Sequence, residues 1–335
     1  MADLKAAVIG VGSMGRNHAR VYDELPGVTL AAIADTSPGP LQETAARRKV
    51  RGYSDYQEML EKERPDVVTV AVPTNLHHEV AGAALEAGAH VLVEKPITAT
   101  VEEGKALIQK GQEVGRQLMV GHIVRFNPAI RSLQGRLASG DLGRMFQVVC
   151  RRVGPFPARI RDVGVVVDLA SHDLDVMRYL TGDEPAYVFA ETERRIHTDH
   201  EDLLTALLRF RGGVIGMLEA NWLTPVKVRE ILVLGERGMF RVDDLTQDLY
   251  FYENALANGE MWAALRILKG VSEGPMIRYP LRRYEPLKAE VAAFVRAVRE
   301  GEPVPVSGED GLAALRLALA LTESGITHQV VEVTG

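Results

Sequence analysis

The chain has 335 residues, of which 46% are hydrophobic and 25% charged, and its formal net charge is −6. These values are typical of a globular protein long enough for two domains, and the acidic balance argues against binding to nucleic acid or to an anionic membrane. Cys150 is the only cysteine, which excludes an intrachain disulfide and a cysteine-based metal cluster. Because neither a leader pattern nor an apolar run of membrane-spanning length is seen, we expect a cytoplasmic enzyme.

The start of the chain carries the pattern of a dinucleotide site. An apolar strand leads into the spacing G-x-G-x-x-G and then into a helix, and the loop residues are Gly10, Gly12, Ser13, Met14 and Gly15. The glycines permit a tight turn, approach of backbone N–H groups to a pyrophosphate, and close packing of the helix, although glycines also occur in purely structural turns. A second strand ends in Asp35, where a carboxylate would bind ribose hydroxyls and repel a 2′-phosphate. We therefore predict NAD rather than NADP.

A later apolar run, His90–Val93, predicts a strand buried on both faces that ends in Glu94-Lys95-Pro96. Proline disfavours helix in the residue before it, so Lys95 is held extended at the carboxyl end of the strand, where open α/β sheets bind ligands. We interpret Lys95 as the meeting point of a nucleotide and a substrate.

The adjacent residues His77 and His78 suggest a metal site. Neighbouring side chains point in different directions and cannot easily share one ion, so we favour one histidine lining the cleft and the other capping a helix or exposed.

Strands and helices alternate over the first third of the chain, which predicts a doubly wound parallel sheet of the Rossmann type in a domain over residues 1–121. Residues 122–335 contain closely spaced strands with glycine turns, which predict an α+β domain with a largely antiparallel open sheet. Two helical stretches, 287–299 and 311–324, end the chain and are candidates to pack back on the first domain. We interpret residues 259–284 as a helix and loop over the cleft.

Two features of the second half could carry chemistry. Asp168 and His172 are four apart at the start of a predicted helix, so they share a face, and a carboxylate beside an imidazole suits a general base. The alternative is that Asp168 caps the helix while His172 packs in the core. The second feature is a concentration of arginines from residue 122 to 161, where eight arginines less one acid give a local charge of +7. These arginines favour an anionic substrate, with a solvated basic face as the alternative.

Taken together, these residues resemble the glucose–fructose oxidoreductase, inositol dehydrogenase and MocA (Gfo/Idh/MocA) family over nearly the whole chain. The features that carry the resemblance are the glycine motif, Asp35, Pro73–His77, Glu94-Lys95-Pro96, and Asp168 with His172. The segments similar to UDP-N-acetylglucosamine 3-dehydrogenase members of that family are Gly121–Pro128, Arg151–Pro157, Arg159–Gly164 and Asn221–Pro225. One departure is Val165–Val167, which stand where the common pattern has glycines and narrow the pocket.

The resemblance implies that NAD lies across the sheet edge with its nicotinamide near Glu94 and Lys95. It implies that His172, oriented by Asp168, takes the proton of a sugar secondary hydroxyl while the carbon gives hydride to the cofactor, and that Lys95 stabilises negative charge on the oxygen. A cis peptide before Pro96 is usual in the family. The implied cofactor-binding residues are Gly10, Gly12, Ser13, Met14, Gly15, Asp35, Pro73, Asn75, His77 and Glu94. The implied substrate-binding residues are Arg125, Asn127, Arg152, Arg159 and Arg161.

We therefore predict an NAD-dependent sugar dehydrogenase acting on a nucleotide sugar such as UDP-N-acetylglucosamine, at C3. The alternatives are a myo-inositol or aldose dehydrogenase, a non-catalytic NAD-binding regulator, and an enzyme that retains NAD while passing hydride between two sugars. Since an open sheet must cover one face, we expect a homodimer or homotetramer.

Overall fold

The computed structural model describes residues 3–157, 163–196, 199–256 and 271–333. It divides the chain into two compact units. The first unit combines Met1–Phe126 with Glu285–Arg316, and the second combines Asn127–Tyr284 with Leu317–Gly335. The first unit thus runs beyond the boundary that the sequence suggests at residue 121 and also includes a later segment of the chain.

The first unit is built around a sheet of six parallel strands. The elements before residue 122 are β1 (Leu4–Ile9), α1 (Ser13–Glu24), β2 (Val28–Ala34), α2 (Pro38–Arg48), β3 (Arg51–Tyr53), α3 (Tyr56–Glu63), β4 (Val67–Val70), α4 (His77–Glu86), β5 (His90–Glu94), α5 (Val101–Glu113) and β6 (Leu118–Gly121). The strand order is β3-β2-β1-β4-β5-β6, with all neighbours parallel. This is the doubly wound order, in which the strand sequence reverses between β1 and β4. The predicted Rossmann sheet is confirmed.

The apolar runs of this sheet are buried because helices cover both of its faces. All four residues of β4 and the three central residues of β5 are buried. The later segment contributes helix α8 (Pro286–Glu300), whose Val291 and Phe294 are fully buried in the same core. At the surface of this unit, Arg20 of α1 pairs with Glu285 immediately before α8.

The second unit contains a nine-stranded sheet. The remaining elements in chain order are α6 (Pro128–Ala138), β7 (Met145–Pro155), α7 (Ser171–Thr181), β8 (Pro185–Glu193), β9 (Leu203–Phe210), β10 (Ile215–Asn221), β11 (Leu223–Gly235), β12 (Gly238–Asp243), β13 (Asp248–Leu256), β14 (Val271–Tyr279), α9 (Gly308–Thr327) and β15 (Val331–Glu332). The strand order is β14-β13-β12-β11-β7-β10-β9-β8-β15. All neighbours are antiparallel except β7 and β10, so the predicted largely antiparallel sheet is confirmed.

One face of this sheet is packed and the other is open. Along β9, Leu204, Ala206 and Leu208 are buried, whereas the alternating residue Leu207 is 48% exposed. This period of two is expected for a strand with one face on the core.

The interpretation of residues 259–284 needs correction. Residues 271–279 form β14 and pair with β13, instead of a helix and loop, while residues 257–270 lie outside the described part of the chain. Among the helices that the structure describes, none combines the length and apolar character needed to cross a membrane.

Candidate functional site

The glycine loop after β1 has the backbone geometry of a dinucleotide site. Gly10 has φ +84°, and a Cβ there would lie 2.5 Å from the carbonyl oxygen of Ala71. A Cβ on Gly15 would lie 1.7 Å from the carbonyl oxygen of Gly10, so α1 packs against the loop as closely as it does only because residue 15 is glycine. Around Gly12 a Cβ would meet nothing within 4 Å, which leaves open space beside the start of α1.

The start of α1 fits a phosphate group. Gly12 is the N-cap residue, no side chain caps the helix, and no acidic residue stands in its first turn. The N–H groups of that turn, which include those of Ser13 and Met14, have no intrahelical acceptor, and the helix dipole adds partial positive charge.

A cleft of about 300 Å³ lies beside this loop in the first unit. Its lining includes Gly10, Gly12, Asp35 and Pro73. Asp35 is held by two backbone donors, because Val11 N–H and Ser37 N–H each donate to one of its carboxylate oxygens at 2.7 Å. Each oxygen keeps a lone pair that can accept a hydrogen bond from a ribose hydroxyl, so the residues present fit NAD.

Two further residues predicted to bind the cofactor follow β4. Asn75 is exposed on a short helical turn, Thr74–Leu76. His77 is buried, and its Nδ1 and Nε2 lie 2.8 Å from the Pro96 carbonyl oxygen and 3.0 Å from the Val72 carbonyl oxygen. Burial lowers the pKa of His77, and the neutral ring has one N–H, so it donates to one of these carbonyls at a time. Among the described residues, no group of three or more His, Cys, Asp or Glu could hold a metal ion.

The segment Glu94-Lys95-Pro96 leaves β5 at its carboxyl end, and the Lys95–Pro96 peptide is cis. Glu94 and Lys95 are half-buried. Nε2 of His18 lies 2.7 Å from Oε1 of Glu94, and the backbone N–H of Lys95 donates to Oε2 at 3.3 Å. Burial raises the pKa of Glu94, but the hydrogen bond with His18 and the charge of Lys95 act in the opposite direction, so the pKa lies below its usual value and Glu94 is a carboxylate.

Our sequence interpretation missed His18. The signal was present, because His18 stands three residues after Gly15 and therefore on the face of α1 that packs on the sheet.

In the second unit, Asp168 and His172 lie on a helix with an irregular start. Residues Val166–Ala170 form a π-helical turn that runs directly into α7. Asp168 lies in that turn and His172 in the first turn of α7, and both are half-buried. Single π turns are frequent at functional sites. Val165 and Val166 are fully buried, so at least these two valines of the run serve the core.

The backbone before this turn is held by Glu201. Its carbonyl accepts from Val165 N–H at 2.9 Å, and its Oε1 accepts from Val166 N–H at 3.1 Å. Glu201 thereby provides acceptors for donors that a helix start leaves without intrahelical partners.

Two of the predicted substrate-binding residues belong to a buried charge network. Arg152 donates from Nε and Nη2 to the two carboxylate oxygens of Asp173, at 2.7 and 2.9 Å. Asp244 lies 3.7 Å from Nη1 of the same arginine, and Asn127 donates to Asp244 at 2.5 Å while capping α6. Burial lowers the pKa of Arg152, but the two carboxylates outweigh it and raise it overall. These groups are occupied within the protein.

The other predicted arginines are placed differently. Arg125 is in the first unit, is 8% exposed and pairs with Asp310 at 3.1 Å. Arg159 and Arg161 lie outside the described residues.

Arg229 is an arginine that we did not single out from the sequence, and it lies beside the network. It stands opposite Arg152 on the neighbouring strand β11. Its Nη1 donates to the carbonyls of Val153 and Val228 at 2.7 and 2.8 Å, and within the described chain it forms no ion pair. Burial and the charge of Arg152 lower the pKa of Arg229 to about 10, against the opposing charges of Asp173, Asp244 and Asp168. Its position opposite Arg152 was not readable from the sequence, because strand pairing decides it.

Comparison with known proteins gives a consistent result. The model of an oxidoreductase family with an NAD-binding Rossmann fold (Gfo/Idh/MocA) matches residues 4–122, and the model of the C-terminal domain of the same family matches residues 130–241. The chain is 31% identical to a UDP-N-acetylglucosamine 3-dehydrogenase from Acidithiobacillus ferrooxidans, over 95% of this chain and 96% of that protein. It is 28% identical to a myo-inositol 2-dehydrogenase from Thermotoga maritima, over 96% of each chain.

A solved structure of UDP-N-acetylglucosamine 3-dehydrogenase from A. ferrooxidans superposes with a TM-score of 0.85 at 31% identity, over 97% of this chain and 98% of that one. The matching family model is that of NAD-binding oxidoreductases, so the cofactor is NAD and the chain is an NAD-dependent oxidoreductase, and the named relatives are dehydrogenases of a nucleotide sugar and of inositol. The chain belongs to the Gfo/Idh/MocA oxidoreductases, the family that its glycine loop, Glu94-Lys95-Pro96 signature and Asp168–His172 pair resemble.

Proposed function

We propose that this protein oxidises a secondary hydroxyl of a nucleotide sugar to a ketone, with UDP-N-acetylglucosamine as substrate and C3 as the reacting carbon. The observation that carries the proposal is the half-buried pair Asp168 and His172 on the π turn and first turn of α7. Similarity to a UDP-N-acetylglucosamine 3-dehydrogenase over nearly the whole of both chains supports the substrate.

The residues divide the reaction between them. His172 accepts the hydroxyl proton, and Asp168 keeps the ring in the orientation and tautomer that this requires. Lys95 stabilises the negative charge that develops on the same oxygen. The start of α1 would hold the pyrophosphate of NAD and Asp35 would hold a ribose, and the bound cofactor would supply the acceptor for the hydride that leaves the carbon.

The first test is substrate choice. We expect NADH formation, followed by absorbance at matched substrate concentrations, to be much faster with UDP-N-acetylglucosamine than with myo-inositol. Activity on myo-inositol alone would support the second candidate, an inositol dehydrogenase, which the 28% identical relatives favour. A protein that binds NAD and turns over neither sugar would point to a regulator.

Arg229 is our candidate for the residue that binds the anionic group of the substrate. Arg152 is already neutralised by Asp173 and Asp244, whereas Arg229 keeps Nε and Nη2 without an acceptor in the described part of the chain. A half-buried guanidinium without a counter-ion gains most from an anionic ligand, and its fork suits a phosphate.

Replacement of Arg229 by methionine should weaken binding of UDP about 10- to 100-fold, because a hydrogen bond to a charged group is worth about 1.5–3 kcal/mol. Calorimetric titration with UDP measures the effect. Arg209→Met is the matched control, since Arg209 is an exposed strand residue of the same unit. Equal UDP affinity in wild type and Arg229→Met would remove Arg229 from the substrate site.

We also propose a homodimer or homotetramer that covers the open face of the second sheet, where Leu207, Ile215 and Met217 are exposed. Light scattering coupled to size-exclusion chromatography would detect this, and a monomer at micromolar concentration would contradict it.

A further inference from the structure

A buried histidine connects the phosphate-binding helix to the segment that carries Lys95. His18 lies on α1, the helix that begins in the glycine loop, and the side chain of His18 is fully buried. Its Nε2 is 2.7 Å from Oε1 of Glu94, at the end of β5. The buried residues nearest to His18 on α1, which are Gly15, Ala19 and Val21, have no polar side-chain group that could bind Glu94.

Glu94 transmits this contact to the next residue. Its second oxygen, Oε2, accepts a hydrogen bond from the backbone N–H of Lys95. The neighbouring position on β6 must be small, because a Cβ on Gly121 would lie only 3.2 Å from Oε2 and would crowd the carboxylate. A carboxylate with one oxygen held by an imidazole and the other by a peptide N–H has little freedom to rotate.

We propose that His18 is a positioning residue for catalysis, which orients the Glu94 carboxylate and, through it, the Lys95 peptide. The inference rests on the proposed function, in which Lys95 acts on the substrate oxygen. The continuous path is α1, His18, Glu94, Lys95. This path joins the helix proposed to bind the pyrophosphate to the lysine proposed to act on the substrate. A shift of α1 would therefore change the position of the Lys95 backbone.

The contact also defines the tautomer of His18. A carboxylate accepts hydrogen bonds only, so Nε2 must carry the proton. Nδ1 is buried and has no partner among the described residues, and a proton there would be an unsatisfied buried donor. The structure therefore assigns the Nε2–H form, which ¹⁵N NMR of the ring can observe directly.

Replacing His18 by leucine removes the donor and keeps most of the volume. We expect kcat with the preferred sugar to fall about 10- to 100-fold, in line with the loss of one hydrogen bond to a charged group. NADH affinity, measured by fluorescence titration, should change by less than about threefold, because Asp35 and the glycine loop are untouched. His18→Gln carries an amide N–H at a similar reach and should recover most of the activity.

A double-mutant cycle with Glu94→Gln separates positioning from a general loss of stability. If His18 acts through Glu94, His18→Leu should cost far less kcat in the Glu94→Gln background than in wild type. His78→Leu is the matched control, because His78 has no hydrogen-bond partner within the described chain and should retain wild-type kcat.

The outcomes are distinct. Full activity of His18→Leu, or equal losses in both backgrounds of the cycle, would overturn the inference. Full activity of Lys95→Met would instead overturn the proposed function on which it rests. An NMR spectrum with the proton on Nδ1 would contradict the assigned contact.

Discussion

Replacement of Lys95 by methionine should abolish most turnover, by about 10²- to 10⁴-fold, while NAD remains bound. The side chain is half-buried at the end of β5, and the variant keeps the apolar stem but loses the cation that stabilises charge on the substrate oxygen. The backbone N–H of Lys95, which donates to Glu94, is unchanged by the substitution. Steady-state NADH formation and fluorescence titration of NADH measure the two quantities separately.

Lys105→Met is the control for this experiment, because Lys105 is an exposed residue of α5. It should have wild-type kcat and wild-type NADH affinity. Unimpaired turnover in Lys95→Met would show that Lys95 has no chemical role. Lost NADH affinity together with lost turnover would assign Lys95 to cofactor binding instead.

The second large effect is expected for His172→Asn, with a loss of kcat of about 10²- to 10⁴-fold, because the variant has no group that can take the hydroxyl proton. A base works only when deprotonated, so the wild-type rate should fall at low pH. The residual rate of the variant should lack that fall. The pH dependence of kcat/KM for both proteins measures this directly.

His328→Asn is the matched control, since His328 belongs to the same unit and pairs at the surface with Glu191. Asp168→Asn should reduce kcat less than His172→Asn if Asp168 orients the ring without accepting the proton. A histidine that only fills the core would lower thermal stability in His172→Asn but leave the rate of the folded protein unchanged. That pattern would remove the proposed base.

The first sheet was predictable because its strands are recognised from short stretches of sequence. Strands covered by helices on both faces must be apolar throughout, so β4 and β5 stand out in the sequence as short apolar runs. The glycine loop and Asp35 were equally readable, since a tight turn and a strand-end carboxylate are properties of single positions. The order of the second sheet was not readable. Nothing local to β7 shows that it pairs parallel with β10 and antiparallel with β11.

The arginines of the candidate site also have partners that the sequence alone does not show. The sequence places Arg152 in a basic stretch, but only the fold shows that Asp173 and Asp244 neutralise it. Arg229 lies 77 positions after Arg152 in the printed sequence, yet strand pairing puts the two opposite each other. The contact of His18 with Glu94 likewise joins residues from α1 and β5 that only the packed core brings together. Pairings of this kind depend on tertiary structure, so single-sequence reasoning does not reach them.

The division of the chain has a consequence for its synthesis. The nucleotide-binding unit is complete only with Glu285–Arg316, which supply the buried side chains of Val291 and Phe294 and a carbonyl, from Val306, that accepts from Val120 N–H at 3.2 Å. On the ribosome, the six-stranded sheet therefore emerges long before the helix that covers part of it. A nascent chain stalled or cleaved near residue 126 would leave that apolar surface open, so the first domain becomes a stable fold only after Glu285–Arg316 have been synthesised.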